Sequence, residues 1–345
     1  MVRQAHHERT TLVTLNGEKT LVAMSDMAHV QSSVGNRFAS LGRLQMARFQ
    51  HLTQTTEMDR AWIEETMFPL CDSLRNGDNS RSPMMGKALY CLFYEPSFLT
   101  RTSFERASEL LGGKAYHTED ASQFFPVHNT QFVDDIINIL ASLKMDVVVV
   151  RTGDPHVAEL AAATDVMHVI NGGSSDDHPT QALADLYTIQ RERGEIDGVT
   201  VAIVGRLEHR NVSALLQGLA MFDDVNVIPV PFSGQMPEKV VQHCAEHGVS
   251  FHPDSDLHAV SEADVIYLNG PRTLAHMQLL ASRGQGRLVI DREFMDSLKP
   301  DCIVMDPMQR SGDFIVEARD DRLAFYRQAE NALYARMAVL DSLFS

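Results

Sequence analysis

The stretch "DVVVVRTGDPHVAELAAATDVMHVINGGSSDDHPTQALADLYTIQ", residues 146–190, decides the fold. Four consecutive valines with no polar alternation describe a strand covered on both faces. A polar turn then leads into a helical segment over 156–164, a second apolar run follows at 167–171, and another helix spans 179–193. Buried strands separated by helices specify a parallel sheet flanked by helices.

The same alternation extends in both directions. Strand-like runs occur at 87–94, 114–118, 199–205, 225–232, 264–269 and 301–306, and helical stretches at 57–75, 100–111, 130–143, 211–222 and 237–247. Pro69 should disturb the first of these helices. Near the start, Asn16-Gly17 lies between two β-branched runs, which is the strongest short hairpin signal. The segment after it, "SDMAHVQSSVGNRFASLGRLQ", is ambiguous between loop and loosely packed helix. The polar "ERGEIDG", residues 192–198, breaks the alternation into two series.

The expected architecture is therefore two Rossmann-like α/β domains. Residues 1–50 form an extension with a hairpin, 51–193 the first domain and 194–322 the second. A long amphipathic helix at 323–345 could reach another domain or a partner, and is expected to return to the first domain.

Bulk chemistry narrows the function. The chain has 345 residues, 44% hydrophobic and 22% charged, as in an ordinary water-soluble protein. No apolar run reaches the ~18 residues of a membrane span, and "MVRQAHHERT" lacks a signal-peptide core. A net charge of −16 without a basic cluster disfavours nucleic acid, while leaving room for a small anion in a local arginine pocket. Four scattered cysteines without a CxxC pair argue against zinc and against a disulfide framework, and fit a reducing cytoplasm.

Candidate chemistry gathers at the carboxyl ends of the strands, where open parallel sheets bind ligands. Ser97 and Thr100 follow one strand, Arg151 ends the next, and His178 and Gln181 share a face at the start of a helix. Asp177 or Ser175 can cap that helix, and Pro179 suits its first turn. In "IVGRLEHRNVSALLQGL" only Gly205 is present of the three glycines a dinucleotide fingerprint requires, so NAD is disfavoured. Arg210, just before that helix, suits a carboxylate or phosphate; from spacing alone an exposed first-turn arginine fits as well. Together these groups suggest an anion with a carbonyl attached.

"FYEPS" with "TRTSFE" (93–105), "HPTQALADLYTIQ", the unit around "AIVG" and the tail "FYRQAENALYARMAVL" resemble, in order and spacing, the aspartate and ornithine carbamoyltransferase family, nearer its aspartate branch. The resemblance spans about residues 55 to 345. It implies carbamoyl phosphate bound by the first domain, a small amino acid by the second, and a homotrimer or larger assembly, alone or with other subunits. It implies no metal and no organic cofactor. Ser97 and Thr100 would hold phosphate, Arg151 the phosphate or carbonyl oxygen, His178 the carbonyl, Gln181 the carbamoyl nitrogen and Arg210 a carboxylate.

Several positions depart from the family pattern. Its Ser-Thr-Arg-Thr turn reads Ser97, Phe98, Leu99, Thr100, so the phosphate-gripping arginine is a leucine. Losing such a donor typically costs ~2 to 4 kcal/mol of transition-state stabilisation. Arg101 would substitute only if the helix began late, because two residues turn a side chain by roughly 200°. The loop that lends a lysine to the neighbouring site has none, and His128 is nearest. A second carboxylate-binding arginine aligns with Gly270, leaving Arg272 two residues on, while "DPMQR" keeps Pro307 and Arg310. Asp306 in that turn would be unfavourable if it faced two anionic substrates. Three functions stay open: an active carbamoyltransferase, a non-catalytic paralogue that binds or scaffolds, and a related acyl transferase with a changed substrate.

Overall fold

The computed structural model describes residues 10–15, 18–23, 50–78, 82–118, 120–123, 130–270, 288–307 and 314–344. The chain divides into two compact units, Met1–Arg48 with Ser345, and Phe49–Phe344. In the first unit, β1 (Thr10–Leu15) and β2 (Glu18–Ala23) form an antiparallel pair whose register closes at Leu15 opposite Glu18. Two residues are left between the strands, the loop length of a tight hairpin. The ambiguous segment after the hairpin lies outside the described residues.

The second unit holds two parallel sheets. One is ordered β4-β3-β5-β6, from β3 (Ala88–Phe93), β4 (Lys114–Thr118), β5 (Val147–Arg151) and β6 (His168–Asn171). The other is ordered β12-β10-β7-β8-β9, from β7 (Thr200–Arg206), β8 (Asn226–Ser233), β9 (Ser250–Phe251), β10 (Val265–Asn269) and β12 (Ile303–Met305). A short parallel pair joins β11 (Leu288–Ile290) to β13 (Phe314–Val316).

The unbroken apolar runs have a direct explanation in how the two faces are used. In β5, Val147 and Val149 enter the main core while Val148 and Val150 enter a separate cluster with Ile136, Leu140 and Val157. In β7, Val201 and Ile203 join the main core, and Ala202 and Val204 the cluster beyond. Alternate side chains point to opposite faces, and both faces are dry. The main core therefore runs continuously between the sheets.

The helix Pro179–Arg193 lies in that shared core and is buried from Pro179 to Ile189. It packs against the helix Arg210–Leu219 on one side and the C-terminal helix Phe325–Phe344 on the other. The C-terminal helix also packs on the helices Phe68–Arg75 and Phe98–Leu110, with Ala332, Ala335 and Ala338 allowing close approach. Pro69 makes itself felt as a π-helical turn over Ile63–Met67, because its ring removes a donor from the ladder. Among the described residues no helix is long and apolar enough to cross a membrane.

Candidate active site

At the end of β3 the chain turns through Glu95, Pro96 and Ser97, and the helix Phe98–Leu110 begins at once. Ser97 sits at the N-cap in extended conformation with its side chain not used as a cap. The Ser97 hydroxyl therefore does not accept from the first-turn N–H groups, which are the usual donors to an anion at a helix start.

Beside this turn, β5 ends in Arg151, which is buried and donates from Nη1 to the carbonyl of Gly172 at 2.9 Å. The segment after β6 then folds into a tight loop. Gly173 takes φ +118°, its N–H donates to Asn171 Oδ1 at 2.8 Å, and its carbonyl accepts from Thr152 N–H at 3.1 Å. The loop delivers His178 to the start of the Pro179–Arg193 helix, with Pro179 in the first turn.

Asp177 does not cap that helix, contrary to expectation. Its carboxylate accepts from Thr55 N–H and Thr55 Oγ1, both at 2.6 Å, and from the N–H of His178 at 2.7 Å. It thereby ties the His178 backbone to the segment preceding the first long helix, and Ser175 makes no cap either. Burial pushes the Asp177 carboxyl up to about 6.

Ser97, Thr100, Arg151, His178 and Gln181 line one cavity of about 270 Å³, together with Phe98, Leu99, Asn211 and Pro307. His178 Nε2 lies 3.4 Å from Thr100 Oγ1, and Nδ1 has no hydrogen-bond partner among the described residues. Burial and the nearby guanidinium groups of Arg151, Arg336 and Arg210 hold the imidazole neutral, well below its ordinary pKa. Gln181 donates its amide N–H to Asp185 Oδ1 at 2.8 Å, which leaves Oε1 as an acceptor. Asp185 also accepts from Tyr267 at 2.8 Å and Gln328 at 2.7 Å, so the second sheet and the C-terminal helix both fix the orientation of Gln181.

Phe98 is 79% exposed and lies at the rim, so it does not plug the space between the polar groups. Leu99 forms part of the wall where a guanidinium was expected. Two expected binding residues point elsewhere. Because the helix starts at Phe98 without a longer turn, Arg101 is carried round to Glu105, 3.8 Å away, and does not line this cavity. Arg210 is buried and donates to Glu95 Oε2 at 2.6 Å, to Gly173 O at 3.1 Å and to Ser174 O. It works here as a strut between three segments rather than as an open carboxylate receptor. His128, Arg272 and Arg310 lie outside the described residues.

Asp306 is buried, and its N–H donates to Gln328 Oε1 at 2.8 Å; its neighbour Pro307 is the residue that reaches the cavity wall. Asn211, Glu95, Asp185 and Arg336 escaped sequence reasoning. Asn211 adjoins Arg210 in a first helical turn, a position that could have flagged it. The other three depend on partners distant in the chain.

Residues 50–191 match the profile described as aspartate/ornithine carbamoyltransferase, carbamoyl-P binding domain. Residues 197–343 match the Asp/Orn binding domain of the same family. The chain is 34% identical over 280 residues to the chloroplastic aspartate carbamoyltransferase of Arabidopsis thaliana, covering 79% of this chain and 71% of that one. It is 34% identical over 262 residues to the aspartate carbamoyltransferase catalytic subunit of Thermococcus gammatolerans, covering 74% and 84%. Among solved structures, aspartate transcarbamoylase from Trypanosoma cruzi in complex with N-(phosphonacetyl)-L-aspartic acid superposes with TM-score 0.74 at 27% identity, covering 86% of this chain and 96% of that one.

Proposed function

The chain belongs to the aspartate/ornithine carbamoyltransferase family, and from that premise we propose that it transfers a carbamoyl group from carbamoyl phosphate to the amine of aspartate or a similarly small amino acid. One observation carries the reading: Thr100, Arg151, His178 and Gln181 converge on a single cavity at the carboxyl edge of the first sheet.

In this reaction the acceptor's neutral amine attacks the carbonyl carbon. A C–N bond forms, the carbon–oxygen bond to phosphate breaks, and the amine proton leaves with phosphate or to solvent. Catalysis needs orientation and a home for the developing oxyanion. Neutral His178 is suited to donate a hydrogen bond to that oxygen without surrendering its proton. Arg151 supplies charge beside it, and Gln181 Oε1 is suited to accept from the carbamoyl NH₂, which fixes the plane of the group. Ser97, Thr100 and the helix start suit the phosphate. An acceptor carboxylate aimed at Arg210 would have to displace Glu95.

Four buried free thiols fit a reducing compartment such as the cytoplasm, and family membership supports a homotrimer. The test is phosphate release from carbamoyl phosphate with a panel of amines. Wild type should show amine-dependent release that His178→Ala abolishes, and release no greater than a heat-treated control would overturn the proposal.

The apolar wall at Leu99 and the occupied Arg210 favour a second reading, a non-catalytic paralogue that binds or scaffolds. On that reading wild type fails to bind carbamoyl phosphate and Leu99→Arg creates binding. Micromolar binding to the unaltered protein would exclude it.

A further inference from the structure

The C-terminal helix carries a side chain that the mechanism above does not use. Arg336 is completely buried, and no carboxylate is hydrogen-bonded to it among the described residues. Its Nη1 donates to Ser103 Oγ at 2.8 Å, and its guanidinium lies over the Phe104 ring at 5.4 Å. Nε and Nη2 have no hydrogen-bond partner among the described residues. Burial pulls its pKa down to about 10, so it keeps its charge at neutral pH.

An incompletely paired buried guanidinium is costly unless something offsets it. Asp185 acts on it through the interior, and Cys91, also within its reach, is a buried thiol pushed well above its ordinary range. The position of the charge is informative. Ser103 accepts from Arg336 and passes its own proton back to the carbonyls of Leu99 and Thr100, in the first turn of the helix that opens the cavity. Arg336 thus stands directly behind the anion turn, one hydroxyl away from it, and contributes to holding His178 neutral.

We infer that Arg336 is a positioning residue of the anion turn: a positive charge seated behind the cavity that fixes the first helical turn through Ser103 and favours an anion in front of Leu99. The inference rests on the carbamoyl-phosphate reading above. It also gives the buried charge a purpose, because an anion in the cavity would add to the offset that Asp185 supplies through the interior.

The test is calorimetric titration of inorganic phosphate into wild type, Arg336→Lys, Arg336→Met and Ser103→Ala, with folding checked by circular dichroism. Arg336→Met should weaken phosphate by about tenfold, the order of effect of one charge acting on another through the interior without direct contact. Arg336→Lys should recover most of that loss, and Ser103→Ala should fall between. NMR titration of the His178 imidazole should show its pKa rising in Arg336→Met and staying near the wild-type value in Arg336→Lys, which keeps the charge. A folded Arg336→Met protein with phosphate affinity within twofold of wild type would overturn the inference and leave the transferase reading standing. If Arg336→Met does not fold, Ser103→Ala decides, and wild-type affinity there overturns the link. Failure of the wild type to bind phosphate at all would overturn both.

Discussion

Glu95 reaches across 115 positions of sequence to hold Arg210 at 2.6 Å, closing the turn after β3 onto the first turn of the helix after β7. The guanidinium is buried and the carboxylate is 31% exposed, so the pair is partly screened from one side only. Removing the carboxylate takes an ion-pair partner from a buried guanidinium that also donates to the carbonyls of Gly173 and Ser174. Glu95→Ala should therefore lower stability by about 1–3 kcal/mol, below the value for a fully buried pair because solvent reaches Glu95. Urea denaturation measures it, and a change under about 0.5 kcal/mol would show that the guanidinium's other contacts suffice.

His178 should titrate abnormally. It is enclosed, and three guanidinium groups act on it, so protonation is opposed by burial and by charge together. Its imidazole should remain neutral at pH 6.5, and the pH–rate profile should show no inflection from it at that pH. The acid side of the profile should instead follow protonation of the acceptor amine. NMR of the imidazole nitrogens checks this directly, and half-protonation near pH 6.5 would refute it.

The strands were readable because their chemistry is local. Four valines in a row permit few environments, and the alternation of faces into two dry clusters buries them all. His178, Gln181, Arg151 and Thr100 were readable as neighbours because parallel sheets bring their carboxyl ends together. The misreadings have the opposite character. Asp177 looks like a helix cap until Thr55, 122 positions earlier, supplies two better donors. Arg210 looks like a receptor for a ligand carboxylate until Glu95 occupies it. Arg336 occupies an unremarkable place in an amphipathic helix, and only packing sets it behind the anion turn. Pairings made across the fold leave little trace in spacing.

Asp177 should make stability depend on pH in a direction opposite to that of a surface ion pair. Its carboxyl is raised to about 6, against 3.8 for the unperturbed group. Between these values the folded protein binds a proton that the unfolded chain does not, so this group's contribution to stability rises as pH falls. Above about pH 6 the penalty of the buried charge is complete. Asp177→Asn cannot titrate, so the stability of wild type minus that of the variant should increase by on the order of 2 kcal/mol from pH 7 to pH 4. Urea midpoints across that range provide the test, and a flat difference would mean the hydrogen bonds from Thr55 and His178 outweigh burial.

Gly173 is the position where backbone conformation and site geometry coincide. It holds φ +118°, which side-chain-bearing residues rarely adopt, and an added Cβ would lie 2.4 Å from Arg151 Nη1 and 3.3 Å from His178 Cδ2. Gly173→Ala should thus suffer twice: about 1–2 kcal/mol from the backbone, and a displacement of Arg151 and His178. Gly194→Ala separates the two effects. Gly194 also has positive φ, at +86°, but ends the Pro179–Arg193 helix with nothing within 4 Å of its would-be Cβ. Both variants should lose stability, Gly173→Ala the more because of its clash, while Gly173→Ala alone loses turnover and phosphate affinity, by roughly tenfold or more for a disturbed charge-assisted contact. Equal activity in the two variants, measured by phosphate release and calorimetry, would mean that Arg151 and His178 need not hold these positions for the reaction to proceed.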